Sequence, residues 1–342
     1  MLLVASLLGV STTLTVQAQE WSPTNETLVS VFMVDANDGW AVGTYGAIIH
    51  WDGTSWNNVA SPTSENLQSV FMVDANDGWA VSSAGIIIHW NGTSWEVTSF
   101  DAGYPLSVFM VDADDGWAVG YGDTVHWDGT SWETVTNPAD TLESVFMVDA
   151  NDGWAVGILG YIIHWNGTSW NNVASPVDYD LKEVFMVDAN DGWAAGHGGI
   201  IHWDGTTWNN VTVPEPALNL YPGVLDFEAI SMIDANDGWA VGGASDITEG
   251  YRYHWDGTSW TQPVYETGLQ QYLLYSVSLV DSNDGWAVGA FGRVLRLVGD
   301  DTWIIPELPD GILMTISTVA MLSVALTLRK LMQKPKVNIK LK

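Results

Sequence analysis

The chain has 342 residues, 41 of them acidic and 10 basic, giving a formal net charge of −31, with no cysteine and 21 tryptophans. So large an acid excess argues against a general nucleic-acid binder, whose phosphate affinity comes from clustered Lys and Arg. The absence of cysteine removes disulfide scaffolds, thiolate zinc sites, iron–sulfur clusters and cysteine nucleophiles together.

In chain order, Leu2 to Val10 is a short apolar run, followed by a Ser/Thr stretch and Val16-Gln17-Ala18. This fits the apolar region and small-residue cleavage site of a secretory signal peptide over residues 1–18, although no Lys or Arg precedes it. A buried first strand is the alternative. From Glu20 onward one unit is written seven times: Asp-x-x-Asp-Gly-Trp recurs with its Trp at 40, 79, 117, 154, 193, 239 and 286, a spacing of 37 to 47 residues. A period near 40 marks a repeat architecture. Each copy runs Ser-Val-Phe-Met-Val-Asp, Asp-Gly-Trp-Ala-Val-Gly, Ile-Ile-His-Trp and Ser-Trp, four strand-like runs separated by Asp-Gly and Asn/Asp-Gly-Thr turn signals. Seven copies of four strands predict an all-β fold, a seven-bladed β-propeller with four-stranded blades over residues 19–305. An open solenoid is the runner-up, but it would want polar caps that the terminal copies lack.

The tryptophans fit the same reading. Seven lie in Asp-Gly-Trp, six follow the repeat His, seven close the Ser/Thr-Trp step, and Trp21 precedes the first copy. Trp21 and Trp303 both qualify for the strand that fastens the ring, and the sequence does not choose. Asp35-Ala36-Asn37-Asp38-Gly39 is one residue short of a calcium loop, so a turn is expected, with Asp and Asn accepting N–H groups and Gly taking positive φ. His50, His89, His126, His164, His202 and His254 share one position, replaced by Arg296 in the last copy. They are read as anchored to their own Asp-rich turns rather than as a metal ring, so no metal or cofactor is expected. His197 stands outside that register.

A residue present in every copy is explained by blade architecture, so function is sought where copies differ. The step from Asp-Gly-Trp to the next His is 9 or 10 residues in copies one to five and 15 in copy six; Trp208 to Ile230 spans 22 and Trp260 to Val277 spans 17, against 13 or 14 earlier. All three insertions emerge on one face and enlarge one rim. They bring Tyr221, Asp226, Glu228, Asp246, Glu249, Tyr251, Arg252, Tyr265, Glu266, Gln270 and Tyr272, a polar and aromatic set suited to a binding surface. Drift in tolerant loops is the competing explanation. Asn25, Asn91, Asn166 and Asn210 lie in Asn-x-Ser/Thr sequons and are glycosylation candidates. No Ser-His-Asp context or Gly-rich phosphate loop appears, and no carboxylate pair stands out by position, so no catalytic residue is assigned.

After the juxtamembrane stretch 306–310, residues 311–328 carry no charge and reach ~27 Å as a helix, enough to span a membrane. The last 14 residues, 329–342, hold six bases and no acid, which places them in the cytoplasm by the positive-inside rule. All 41 acids fall between Glu20 and Asp310 with four bases, Lys182, Arg252, Arg293 and Arg296, so that stretch carries −37 and is expected to face outward.

The string Asp-Gly-Trp-Ala-Val-Gly followed by Gly-x-Ile-Ile-His-Trp-Asp-Gly-Thr-Ser-Trp resembles the Asp-box (bacterial neuraminidase repeat) propellers, and most closely the photosystem II stability and assembly factor family. The resemblance covers about residues 21–305. Asp52-Gly53-Thr54-Ser55-Trp56 is then the Asp box, a turn between third and fourth strands. The resemblance implies a propeller that serves as an assembly factor or, in other Asp-box proteins, a glycan-directed hydrolase. A sialidase would need an arginine triad, and only three arginines are available before residue 310. Pro306-Glu307-Leu308-Pro309, the apolar stretch and the basic tail resemble prokaryotic C-terminal sorting signals processed by exosortase-type and archaeosortase-type transpeptidases, with Leu308 in place of the usual Pro or Phe. The expectation is a membrane-anchored, cell-surface, non-catalytic propeller of a prokaryote. It would bind a protein or glycan outside the cell and no nucleic acid.

Overall fold

The computed structural model describes residues 23–98, 103–122, 124–214, 225–244, 249–262, 273–299 and 302–304. Segments 1–18, 306–310, 311–328 and 329–342, with Trp21, lie outside them. Among the described residues no helix is long and apolar enough to cross a membrane.

In the first repeat the run Leu-Val-Ser-Val-Phe-Met-Val-Asp forms the innermost strand β1 (Leu28–Asp35). Then come β2 (Asp38–Gly43), β3 (Ile48–Trp51) and the short outer β4 (Trp56–Asn58), each antiparallel to its predecessor. The other six repeats do the same. Twenty-eight strands, β1 to β28 in chain order, make seven four-stranded sheets, each built from consecutive strands. β25 (Leu274–Asp281), β26 (Asp284–Gly289), β27 (Arg293–Val298) and β28 (Trp303–Ile304) form the seventh.

The core is divided among blade interfaces. Seven buried clusters occur, each drawn from two neighbouring blades: Trp40, Val42 and Ile48 of the first blade pack with Leu67, Val70, Met72, Ile88 and Trp95 of the second. β2 and its equivalents in the second and seventh blades are buried along their whole length except the first residue, because both faces of a middle strand meet a neighbouring sheet. The ring shuts between blades seven and one. Ser276 Oγ accepts the Val31 N–H at 3.2 Å, Ser278 Oγ accepts that of Met33 at 3.0 Å, and Trp286 packs on Trp51 and Trp56. Trp303 lies in β28 beside β27 and packs edge-on against Trp239 at 5.3 Å. Among the described residues no blade is shared between chain ends, and the closing seam is held by side chains. That ring also disposes of the open solenoid.

Tryptophan does most of the interface packing. Trp40 of the first blade meets Trp90 at 4.7 Å and Trp95 edge-on at 5.5 Å in the second, and the pattern repeats round the ring. Edge-to-face contact suits the aromatic quadrupole and offers a ring face to indole N–H groups that have no other partner inside the interface. The third-strand tryptophans differ, since Trp51 and its five equivalents each donate Nε1–H to the carbonyl of the alanine in the β1–β2 type turn, at 3.0 to 3.2 Å.

The turn before Asp-Gly-Trp is held as expected by aspartate, Asp35 Oδ1 accepting the Asn37 N–H at 2.6 Å. The glycine, however, does not take positive φ. Gly39 lies extended in β2, where a Cβ would come within 2.3 Å of Met33 Sδ. Its role is to make room for the methionine of the innermost strand, replaced by Leu279 in the seventh copy. In the turn between β3 and β4, Asp52 Oδ1 accepts from the Thr54 hydroxyl (2.6 Å) and from the N–H groups of Thr54 and Ser55 (2.9 Å each), while Gly53 takes φ +85°. Those bonds, the Thr54 hydroxyl foremost, hold the Asp52 carboxyl well below the usual carboxylate range.

Candidate functional site

The two ends of the ring differ chemically. One carries the β1–β2 and β3–β4 type turns, with nineteen aspartates among the described residues. There His50 Nε2 lies 2.8 Å from Asp38 Oδ1 with its ring stacked on Trp40 at 4.2 Å, and the other five repeat histidines are held alike. In the seventh blade Arg296 fills the same role. Its Nε and Nη2 donate to the two Asp284 carboxylate oxygens at 3.0 Å each, and the guanidinium lies over Trp286 at 5.3 Å. The histidine ring is thus a set of seven local clamps. Among the described residues no three His, Cys, Asp or Glu side chains gather in a way that could hold a metal.

The other end carries the β2–β3 type turns and the connections between blades, and the central channel opens here into a cavity of about 410 Å³. Its wall comes from the start of each innermost strand. In the first four blades the lining pair ends in serine, Ser30, Ser69, Ser107 and Ser144, and each hydroxyl accepts a backbone N–H of the next blade's innermost strand at 3.2 or 3.3 Å. Ser276 closes the circle onto Val31. Each staple satisfies a donor on an unpaired inner strand edge.

Blades five and six break the pattern, and charge enters the wall from blade four onward. Glu183 stands where serine is expected and accepts the Ile230 N–H through Oε2 at 2.6 Å; Ala229, in the sixth blade, has no hydroxyl to offer. Lys182 Nζ lies 3.3 Å from Glu143 Oε1, and Glu228 is next along the wall. Burial pushes Glu183 up to about 8. It also raises Glu228, an effect opposed by the charge of Lys182. One arc of the mouth is ionisable and the remainder, with Val29, Leu106 and Tyr275, is neutral.

The insertion residues divide. Glu228 faces the channel. Asp226 immediately precedes the innermost strand of blade six, bridges His197 through the backbone, and holds its carboxylate 3.7 Å from His197 Nε2. Tyr251 is not part of a surface: it is 6% exposed, packed edge-on against Phe227, and its hydroxyl donates to the Asp226 carbonyl at 2.7 Å and contacts the Asp226 N–H. The longer third strand of copy six extends the ladder there, pairing Tyr251 with Gly242, so the tyrosine pins the insertion instead of displaying it. Arg252 is half-buried. Glu249 begins β23 (Glu249–Trp255), with its side chain outside the described set. Tyr221, Asp246, Tyr265, Glu266, Gln270 and Tyr272 lie outside the described residues. Asn25, Asn91, Asn166 and Asn210 are all exposed, and in Asn91 and Asn166 the amide oxygen caps a turn. Glu143, Lys182, Glu183 and Tyr275 were not foreseen. Their signal was available in the two residues before the Val-Phe-Met run: a charged first residue in copies four to six, tyrosine in copy seven, and loss of the serine in copies five and six.

Three turns at this end carry bulky residues in the left-handed region: Tyr45 (φ +56°), Leu159 (+54°) and Phe291 (+59°), each followed by glycine. The two positive φ values make a type I′ turn, which favours Asn-Gly. The side chains gain nothing by packing, being 74%, 66% and 65% exposed. Replacing any one with asparagine should raise stability by about 1 kcal/mol, because asparagine visits this region at lower cost; a denaturant titration checks it.

The fold is that of a seven-bladed β-propeller with four-stranded blades. No model of a known protein family matches the chain, and no curated protein matches its sequence. Among solved structures it is similar to one described as YCF48 bound to D1 peptide, at 20% identity over 82% of this chain and 94% of that one, with a TM-score of 0.64. It is also similar to YCF48 from Cyanidioschyzon merolae (19%, 82% and 98%, TM-score 0.63) and to the WD40 β-propeller domain of Doa1 (14%, 83% and 96%, TM-score 0.67). At these identities the likeness is one of fold.

Proposed function

We propose that the protein is a non-catalytic, membrane-anchored cell-surface propeller that binds a protein partner on the end bearing the channel mouth and the three enlarged connections. The observation that carries this reading is the departure from repeat symmetry at that end. The acidic end repeats nearly the same bonds seven times, whereas blades four to six alter the channel wall beside the insertions, and recognition needs positions that differ. A similar propeller, YCF48, has been solved with a D1 peptide bound, which supports an assembly-factor form of the same proposal. The signal segment, the apolar anchor 311–328 with its basic cytoplasmic tail, the Asp-box kinship and processing by a sorting transpeptidase belong to this proposal as well. A sialidase is disfavoured by the use of its arginines, since Arg296 is committed to Asp284 and two indoles and Arg293 is 2% exposed.

The test is affinity capture with the full chain in detergent, beside a glycan array and a glycosidase screen. A chain with residues 215–224 replaced by a short Gly/Ser connection should lose its captured partner while keeping its melting curve. Turnover of a glycoside, or unchanged capture of every partner after trimming, would defeat the proposal.

A further inference from the structure

The end that bears the channel mouth also carries most of the exposed apolar bulk. Of eight large hydrophobic side chains standing exposed among the described residues, six lie there: Tyr45, Tyr104, Tyr121, Leu159, Tyr161 and Phe291. They come from blades one, three, four and seven, so they flank the mouth from opposite sides. Three are held at left-handed φ, a conformation that L side chains rarely adopt, and yet they are 65% to 74% exposed. Tyrosine and phenylalanine at loop tips are the side chains that settle at the boundary between lipid headgroups and acyl chains.

The direction of the last strand says what meets this end. β28 leaves the turn at the acidic end and runs toward the mouth end; Ile304 sits opposite Arg296, three residues short of Arg293, where β27 begins. Six residues separate Ile304 from Gly311, where the uncharged stretch starts. At ~3.3 Å per residue the chain needs roughly 10 Å to clear the blade and has about 13 Å left. Reaching a bilayer on the other side would require the chain to reverse and would press nineteen aspartates against the headgroups, a costly arrangement beside anionic lipid.

We propose that the mouth end of the propeller docks on the lipid surface of the membrane that holds the chain, with Tyr45, Leu159, Phe291 and their aromatic neighbours at the headgroup boundary and the acidic end turned outward. This rests on the reading of 311–328 as a membrane span, and it makes the partner of the enlarged rim one that is reached at the membrane plane.

The absence of cysteine permits a direct test in the full chain reconstituted into phosphatidylcholine vesicles. Ala84 and Ala75 are both exposed in blade two, the first at the mouth end and the second in the turn between Asp74 and Asp77 at the acidic end. An environment-sensitive fluorophore on Ala84→Cys should shift to the blue and be quenched several-fold more by headgroup-borne nitroxides than the same probe on Ala75→Cys. Adding Tyr45→Asn, Leu159→Asn and Phe291→Asn to the Ala84→Cys chain should remove that difference without releasing the protein from the vesicles. Flotation after an alkaline wash reads anchoring separately. A chain that fails to float overturns the spanning segment and the docking together; a chain that floats with equal quenching at both positions overturns the docking alone.

Discussion

Replacing Trp286 with alanine should cost about 3–5 kcal/mol and lower the melting temperature by roughly 5–15 °C, more than the same change at Trp117. Both indoles are buried, at 0% and 1% exposure, and both meet two tryptophans of the next blade. The difference is connectivity. Blades three and four remain joined by the chain when Trp117 is lost, so the cavity is confined to an interface whose ends are tethered. Blades seven and one are held among the described residues by Trp286 against Trp51 and Trp56, by Arg296 over Trp51, and by the Ser276 and Ser278 bonds to β1. Opening that seam frees an inner strand edge and exposes Leu28, Val31 and Met33 to water. Limited proteolysis should accordingly cut the Trp286→Ala chain in its first and last blades before global unfolding, and leave Trp117→Ala intact. Equal destabilisation and equal proteolysis of the two variants would show that the seam is no weaker than the tethered interfaces.

The architecture was legible because it is periodic. A motif repeated seven times with Gly-rich turns at fixed offsets leaves few alternatives, and the histidine position was correctly linked to its aspartate turn by recurrence alone. What recurrence could not supply was direction in space. Gly39 looks like a turn glycine because it follows Asp, yet its lack of a side chain serves Met33 across the strand pair, a relation visible only once the register of β1 and β2 is known. Ring closure was equally out of reach: Trp21 and Trp303 occupy equivalent places in the repeat, and pairing of β28 with β27 decides only the seventh blade's outer strand.

The site was half legible for a related reason. Insertions are visible in one dimension as changes of length, and Asp226 and Glu228 enter the candidate set that way. Substitutions without a change in length are quieter. Lys182-Glu183 occupies the place held by Gln68-Ser69 or Leu106-Ser107, and only the ring places those seven pairs around one channel. Tyr251 shows the converse, since an aromatic in an insertion read as surface is a buried post against Phe227.

Glu183 leads to the second large effect, a stability difference that depends on pH. Its carboxyl rises from an ordinary value of 4.5 to about 8 because the channel wall strips water from the charged form, and the Ile230 N–H only partly offsets this. In the unfolded chain the group ionises near its ordinary value. Below pH ~4.5 both states hold the proton and the group's contribution is fully present. As pH rises, the unfolded state releases the proton first, so stability is lost progressively until the folded group also ionises near pH 8. The gap corresponds to about 3–5 kcal/mol across that window. Glu183→Gln keeps the length and an oxygen for Ile230 but has no proton to lose, and Glu183→Ser restores the staple used by neighbouring blades. Both variants should match the wild type near pH 5 and exceed it increasingly toward pH 8, as read by urea unfolding at each pH, while the many turn aspartates cancel in the comparison. Parallel curves for wild type and Glu183→Gln would mean that channel water solvates the carboxylate fully. If the curves diverge as expected, the mouth near neutral pH carries Glu183 largely as a neutral acid, next to a Lys182–Glu143 pair that also sums to zero. Recognition there would then rest on hydrogen bonding and shape more than on the −37 carried by residues 20–310.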